Sequence, residues 1–349
     1  MTFLRRSGPM YLSDHYISQV MPDDAAKMQE AEQLLMQEGI RLDKNLDYTC
    51  AMYDGDGRIA ATGSFFGNTL RCFAVHHDHQ GEGLLNEVVS HLMQEELRRG
   101  KFHLFVYTKT SAAKLFKDLG FYEIASVDGT MVFLENRRSG FGDYIQSLIA
   151  ETPDSAASDK EFRVGAIVMN ADPFTLGHRY LVETAAARCS SLHVFVLSED
   201  LSPVPFAVRM QLVKEGTADL PNVIVHESGP YMISAATFPS YFLKDETAVI
   251  EGHARLDIAV FTKIAQALSI EARWVGDEPF SPTTALYNSV MQKELPANGI
   301  NCITIPRLTA KNEAISASAV RSLIESRDWD TLKDLVPSST YSYFRQLYS

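Results

Sequence analysis

The chain has 349 residues, 46% hydrophobic and 22% charged, the composition of an ordinary folded protein with room for two domains, each with its own core. A formal net charge of −12 and a pI near 5.3 argue against non-specific binding to nucleic acid or to an anionic membrane, while leaving room for a local basic pocket. The amino-terminal stretch has no apolar core of signal-peptide length, no uncharged run reaches membrane-spanning length, and Cys50, Cys72, Cys189 and Cys302 lie far apart with no C-x-x-C, so reduced thiols in a cytoplasmic protein are expected rather than a disulfide framework or a zinc site.

Residues 22–39 read as an amphipathic helix, with Ala26, Met28, Ala31, Leu34, Leu35 and Met36 among its apolar positions. Residues 46–53 and 58–66 read as a strand pair, because Asp54-Gly55-Asp56-Gly57 between them is a hairpin turn signal. A strand over 69–75, a helix ending near Arg99, a strand over 102–107, a helix over 111–119 and strands over 121–124 and 131–134 follow. Between the strand 69–75 and the next helix lies His76-His77-Asp78-His79-Gln80-Gly81-Glu82-Gly83. Histidines so close in sequence converge poorly on one ion and no downstream ligand is evident, so they read as loop histidines and not as a metal site.

This order resembles the GCN5-related N-acetyltransferase (GNAT) fold. Gln80 and Gly83 match its pyrophosphate loop, Q/R-x-x-G-x-G/A, with Leu85 at the last Gly/Ala position, and Ala112 to Phe121 matches its A-x-x-L-Y-x-x-x-G-F element. The resemblance implies that Gln80, Gly81 and Gly83 present backbone N–H groups to the phosphates of a coenzyme-A-like ligand. No catalytic base or leaving-group donor can be assigned for independent acetyl transfer, so a recognition module built on that fold is favoured. Residues 139–149 read as a short helix or connector, and the polar, small residues from Glu151 to Lys160 as an inter-domain linker with the boundary near residue 155, giving a linker over 141–160 between a domain at 1–140 and one at 161–349.

The second domain starts with Arg163 to Ala187. Val164 to Met169 is a short apolar run that suits a buried strand; Asn170-Ala171-Asp172-Pro173 breaks it; Leu176, Tyr180, Leu181 and Ala185 then recur at helical spacing. Thr175 is placed as the helix N-cap, with Gly177 and His178 in the first turn, an arrangement suited to binding and transferring a phosphate group. Strands are expected over 192–197, 223–226, 273–276 and 300–305, and helices over 206–220 (carrying Arg209 and Lys214), 246–268 and 283–295, with one more opened by Ser316 and Ser318. The alternation predicts a parallel sheet with ligands at the carboxyl ends of its strands, where Gly276 and Asp277 also fall. The aromatic run from Phe238 to Phe242 reads as core or domain interface, and Trp274 and Trp329 as packing residues.

Asp172-Pro173 with Thr175-Leu176-Gly177-His178 resembles the signature of the T/H-x-G-H nucleotidyltransferase superfamily, and Ile315 to Arg321 resembles its second signature, near I-S-S-T-x-x-R. Together with A-T-F-P-S-Y-F-L-K, G-D-E-P-F-S-P-T-T and I-P-R, the combination over nearly the whole chain resembles the citrate lyase ligase family, with Asp172 where that family suggests Asn. The resemblance implies an α/β enzyme that uses ATP and acetate to acetylate the thiol of a coenzyme-A-like group on the acyl carrier subunit of citrate lyase. The route would run through acetyl-adenylate and release AMP and pyrophosphate. His178 would donate to the α/β-phosphate region beside the Thr175 hydroxyl. Ser316, Ser318 and Arg321 would hold the β/γ-phosphates, Arg209 and Lys214 the pyrophosphate, and Gly276, Asp277 and Glu278 the ribose and adenine. Mg²⁺ is expected with ATP and needs few protein ligands of its own, with Asp172 as a residue that could hold it, directly or through water. Three rivals remain: a nucleotidyltransferase acting on a phosphorylated cofactor precursor, a bifunctional protein whose first domain acetylates amines from acetyl-coenzyme A, and a non-catalytic nucleotide sensor.

Overall fold

The computed structural model describes residues 15–43, 45–153, 159–198, 202–232, 238, 241–243, 245–278, 281–310 and 313–349, and the chain forms two compact units. The first comprises most of the chain to Arg138 and takes in residues 241–243 from far downstream. Its elements are β1 (Tyr16–Val20), α1 (Ala25–Gln37), β2 (Tyr48–Tyr53), β3 (Ile59–Phe66), β4 (Thr69–Val75), α2 (Leu84–Arg98), β5 (Phe105–Lys109), α3 (Ala113–Asp118), β6 (Tyr122–Val127) and β7 (Met131–Glu135). Strand β1 was not foreseen: it is short, and Tyr16 is exposed at the sheet edge.

The sheet order is β1-β2-β3-β4-β5-β7-β6. The β2–β3 hairpin closes on Asp54, whose Oδ1 accepts the backbone N–H groups of Asp56 and Arg58 at 3.0 and 2.9 Å. Strands β4 and β5 run parallel but pair only at Thr69–Phe105 and Leu70–Val106, so they part beyond Leu70. Helix α2 buries Val88, Val89 and Leu92 against the sheet. It comes so close to β3 that a Cβ at Gly63 would lie 2.7 Å from Val88 Cγ1. Tyr241 donates its hydroxyl to the Tyr107 carbonyl at 2.5 Å and Arg41 Nη2 donates to the Leu243 carbonyl at 2.8 Å, so this part of the aromatic run is core of the first unit.

The second unit opens with α4 (Gly140–Glu151), a helix where the sequence suggested a helix or connector; residues 154–158 of the expected linker lie outside the described residues. It continues with β8 (Phe162–Met169), α5 (Leu176–Arg188), β9 (Cys189–Val196), α6 (Phe206–Gly216), β10 (Val223–Glu227), α7 (Glu246–Leu268), β11 (Ala272–Gly276), α8 (Pro282–Ala297), β12 (Asn301–Ile305), a two-residue ladder of β13 (Thr309–Ala310) and β14 (Glu313–Ala314), α9 (Ala317–Ser326), α10 (Trp329–Leu332) and α11 (Ser338–Leu347). Five strands form an all-parallel sheet in the order β10-β9-β8-β11-β12. β8 lies at its centre, which is why Val164–Met169 is continuously apolar. From β8 the chain steps outward to β9 on one side, while β11 flanks β8 on the other. The crevice of such a sheet lies beyond the carboxyl ends of these two strands. The core beneath includes Ile167, Phe174, Val182, Leu212, Trp274, Val320 and Phe344.

A buried pair sits away from that crevice. His193 Nδ1 and His226 Nε2 are 2.9 Å apart, and His226 Nδ1 is 2.8 Å from Glu151 Oε2. Burial pushes His193 down to about 3 and lowers His226 as well. The unfolded chain therefore takes up protons below pH 6.5 that the folded one refuses, so stability is full above that pH and falls as pH drops toward 3. For His193 alone the loss between pH 8 and pH 5 is expected to be about 2 kcal/mol. Urea unfolding at both pH values checks it: His193→Asn should shrink the difference between them, whatever it does to absolute stability.

Candidate active site

The loop from Asn170 to Phe174 delivers the chain from β8 to Thr175, the N-cap of α5. A reciprocal pair of bonds closes this turn. Thr175 Oγ1 accepts the His178 N–H at 3.3 Å, and His178 Nδ1 accepts the Thr175 backbone N–H at 3.1 Å. A backbone N–H can only donate, so Nδ1 carries no proton and the neutral ring carries its proton on Nε2. Thr175 Oγ1, 3.0 Å from Nδ1, must likewise donate to it. Burial, and then the charge of Arg307, push the His178 pKa down to about 4. His178 is thus a neutral Nε2 donor near pH 7, in contrast to the charge-carrying residue its type suggests. Thr175 is fully buried and its hydroxyl is committed to positioning the imidazole, so it is not a separate phosphate donor.

Behind the ring, Phe174 stacks on His178 with centroids 5.9 Å apart, and its carbonyl accepts from buried Thr340 Oγ1 at 2.9 Å. The Leu176 N–H donates to the Leu335 carbonyl at 2.9 Å. The carboxyl-terminal segments therefore brace the turn, and two of the first three N–H groups of α5 are already engaged.

The two signatures meet. Gly177 packs against Ile315, whose carbonyl would lie 3.4 Å from a Cβ at residue 177. Ser316 caps α9 by accepting the Ala319 N–H at 3.1 Å. Together they border a cleft of about 370 Å³, also lined by Asn170, Gly276, Glu278, Asn288 and Arg307, at the carboxyl ends of β8, β11 and β12. Thr175, Gly177, His178, Gly276 and Ser316 are therefore brought together as the sequence suggested.

Other expected residues are placed elsewhere. Arg209 is fully buried and donates to the carbonyls of Val204, Asn170 and Leu197 and to Asn170 Oδ1, at 2.8–2.9 Å. It clasps the ends of β8 and β9 and is not presented to a ligand. Arg209→Met leaves these acceptors buried without their donor and is expected to cost about 3 kcal/mol or more, measured by urea unfolding. Lys214 is exposed on α6 and Ser318 on α9; neither lines the cleft. Asp172 is buried, with Oδ1 on the Val204 N–H at 3.0 Å and Oδ2 3.3 Å from Arg321 Nη1, which also donates to the Asp172 carbonyl at 2.5 Å. Both carboxylate oxygens are taken, so Asp172 is not set up to ligate Mg²⁺, and Arg321 braces the loop instead of pointing its Nη1 into the cleft. Asp277 turns its Oδ1 to the Glu278 N–H.

Arg307 was missed as a site residue. Its Nε donates to the Asp277 carbonyl at 2.8 Å and its Nη2 pairs with Glu278, which fixes the guanidinium in the cleft wall. Its position directly after the last parallel strand, at the ligand end, was the available signal. Arg273 was missed too: it lines the cleft, bonded to buried Asp257 at 2.8 Å. Residues 279 and 280 of the G-D-E-P-F stretch lie outside the described residues.

In the first unit, Gln80, Gly81 and Gly83 border a cavity of about 430 Å³ beside Phe73, Ala74 and Val75, the part of β4 that has left β5. Gly83 adopts φ +83° as it starts α2. Among the described residues, no helix is long and apolar enough to cross a membrane.

The family described as citrate lyase ligase C-terminal domain matches residues 164–344. A citrate (pro-3S)-lyase ligase of Haemophilus influenzae is 37% identical over 326 residues, covering 92% of this chain and 96% of that one. The enzyme of that name from Escherichia coli K12 is 36% identical over 341 residues, covering 95% and 94%. A phosphopantetheine adenylyltransferase of Staphylococcus carnosus is 40% identical over 58 residues, 16% of this chain and 36% of that one.

Proposed function

The chain belongs to the citrate lyase ligase family, and from that membership and the geometry of the cleft we propose that it uses ATP and acetate to acetylate the acyl carrier subunit of citrate lyase. An acetate oxygen attacks the α-phosphorus of ATP; the new O–P bond forms as the bond to the pyrophosphate oxygen breaks. The carrier's prosthetic-group thiol then attacks the acetyl carbonyl, giving the thioester and AMP. Neither step needs a covalent nucleophile from the enzyme. What the first step needs is donors fixed where negative charge grows. The observation that carries the reading is His178, locked by Thr175 as an Nε2 donor in a cleft that also holds Arg307 and Ser316. Asn288 Nδ2, donating to the Gly276 carbonyl at 3.1 Å, stiffens the wall assigned to the nucleoside. Mg²⁺ would travel with the ATP phosphates. Among the described residues lining the cleft, the carboxylate is Glu278, and it is held by Arg307.

The test is ATP–pyrophosphate exchange with Mg²⁺. Exchange that requires acetate supports carboxylate activation. Exchange that ignores acetate but responds to a phosphorylated cofactor precursor favours the nucleotidyltransferase reading, to which the local match with phosphopantetheine adenylyltransferase lends support. The first unit is assigned to gripping the coenzyme-A-like arm through the loop from Gln80 to Gly83. Gly83→Val forces a β-branched residue into left-handed backbone, at about 1–2 kcal/mol. It should weaken carrier binding, measured by calorimetry, and leave acetate-dependent exchange unchanged.

A further inference from the structure

We propose that the first unit binds one divalent transition-metal ion of the zinc type on His15, His79 and Glu82, with Asp54 supporting His79. The ligands come from separate segments: His15 before β1, and His79 and Glu82 from the loop between β4 and α2. Their candidate ligand atoms all lie within 4.8 Å of one another. His79 Nδ1 is 3.1 Å from Glu82 Oε2, His15 Nε2 is 4.0 Å from the same oxygen, and the two imidazoles meet edge to face at 5.4 Å. Tetrahedral zinc with nitrogen and oxygen ligands sets them roughly 3.3–3.5 Å apart, so small side-chain rotations close the set. Two imidazoles and one carboxylate with a remaining open position is a recurrent zinc donor set.

Asp54 stands behind His79. Its Oδ1 is held by two backbone N–H groups in the β2–β3 turn, and its Oδ2 lies 3.8 Å from His79 Nε2. That is beyond hydrogen-bond length, and the same small rotations that close the ligand set would bring the carboxylate onto this nitrogen and leave the other for the metal. The rejected possibility, a site made from the adjacent histidines, remains the poorer one. His77 and Asp78 are mostly exposed, and His76 Nδ1 already accepts the Asp78 N–H. Of those three histidines only His79 joins the proposed set.

The consequence is local order. His79 and Glu82 flank Gln80 and Gly81, and the loop also contains Gly83; Gly81 and Gly83 have φ of +89° and +83°. An ion here would pin the loop that borders the 430 Å³ cavity and would bring positive charge to it.

The full chain, stripped with chelator, is titrated with Zn²⁺ by calorimetry and with Co²⁺ by visible absorption. One equivalent with micromolar or tighter affinity is expected, together with cobalt bands of a low-coordinate site. His15→Ala, His79→Ala and Glu82→Ala should each weaken binding at least about a hundredfold. Asp54→Asn should weaken it about 10–100-fold. His77→Ala should leave it unchanged, and far-UV dichroism confirms folding; any alanine variant that does not fold is replaced by glutamine at the same position. Absence of binding below about 100 µM, or binding that survives His15→Ala and is lost in His77→Ala, overturns the site.

Discussion

Replacing His178 with alanine is expected to lower acetate-dependent ATP–pyrophosphate exchange by about 10²–10³-fold, some 2.7–4 kcal/mol of lost transition-state stabilisation, with the KM for ATP changing far less. The protons on and around the ring decide this. Nδ1 is occupied by the Thr175 N–H and hydroxyl, so Nε2–H is the group left for the ligand. With the pKa at about 4, the ring remains a neutral donor at pH 5.5 as well as at pH 8. Exchange should therefore show no acidic limb from His178 across that range. A mechanism that needed an imidazolium would instead lose rate above the ordinary histidine range. His178→Gln, which can return an amide donor, should recover part of the loss. Thr175→Ser should retain most activity, while Thr175→Val, which removes the hydroxyl tie, should lose kcat before KM. Flat pH behaviour combined with an inactive Thr175→Ser variant would contradict this division between donor and positioning residue.

The course of the chain was readable because its patterns are strong. The strands flanking the Asp54–Gly57 turn and the apolar run at Val164–Met169 each had one structural solution. The turn at Thr175 was readable because its capping geometry is local: three residues and two bonds define it. What could not be read were choices made over long distances. Arg209 was expected at the pyrophosphate, yet it is buried because Asn170 and Leu197, just past β8 and β9, and Val204, just before α6, present three carbonyls to it. Asp172 and Arg321, 149 positions apart, satisfy each other, and that pairing removes both from the roles their motifs suggested. His193 and His226 sit on neighbouring strands 33 positions apart, and neither is flanked by anything that marks a buried pair. Spacing identifies residues that act through local backbone geometry. It says little about long polar side chains, whose partners are decided by tertiary contacts.

Arg307 carries the second large effect. Arg307→Met is expected to reduce exchange by about 10³-fold, the lower end of what a guanidinium contributes at a transferring phosphoryl group. Two of its nitrogens are tied, to the Asp277 carbonyl and to Glu278, so the cation is held in place before any nucleotide arrives. Such fixed charge needs no reorganisation as the phosphorane-like charge develops. The variant has a second readout that a structural role alone would not produce. Arg307 is one of the two causes that hold the His178 pKa down, so removing it should raise that pKa, visible in the imidazole NMR titration. Arg307→Lys keeps a charge but loses the paired geometry. It should hold His178 low while exchange falls by an intermediate amount. Glu278→Gln unties the guanidinium without deleting it and should raise the KM for ATP more than it lowers kcat. Exchange within threefold of wild type in Arg307→Met, with the His178 titration shifted as expected, would place Arg307 beside the reaction without a part in it; the burden of charge stabilisation would then fall on His178 and the α9 terminus at Ser316.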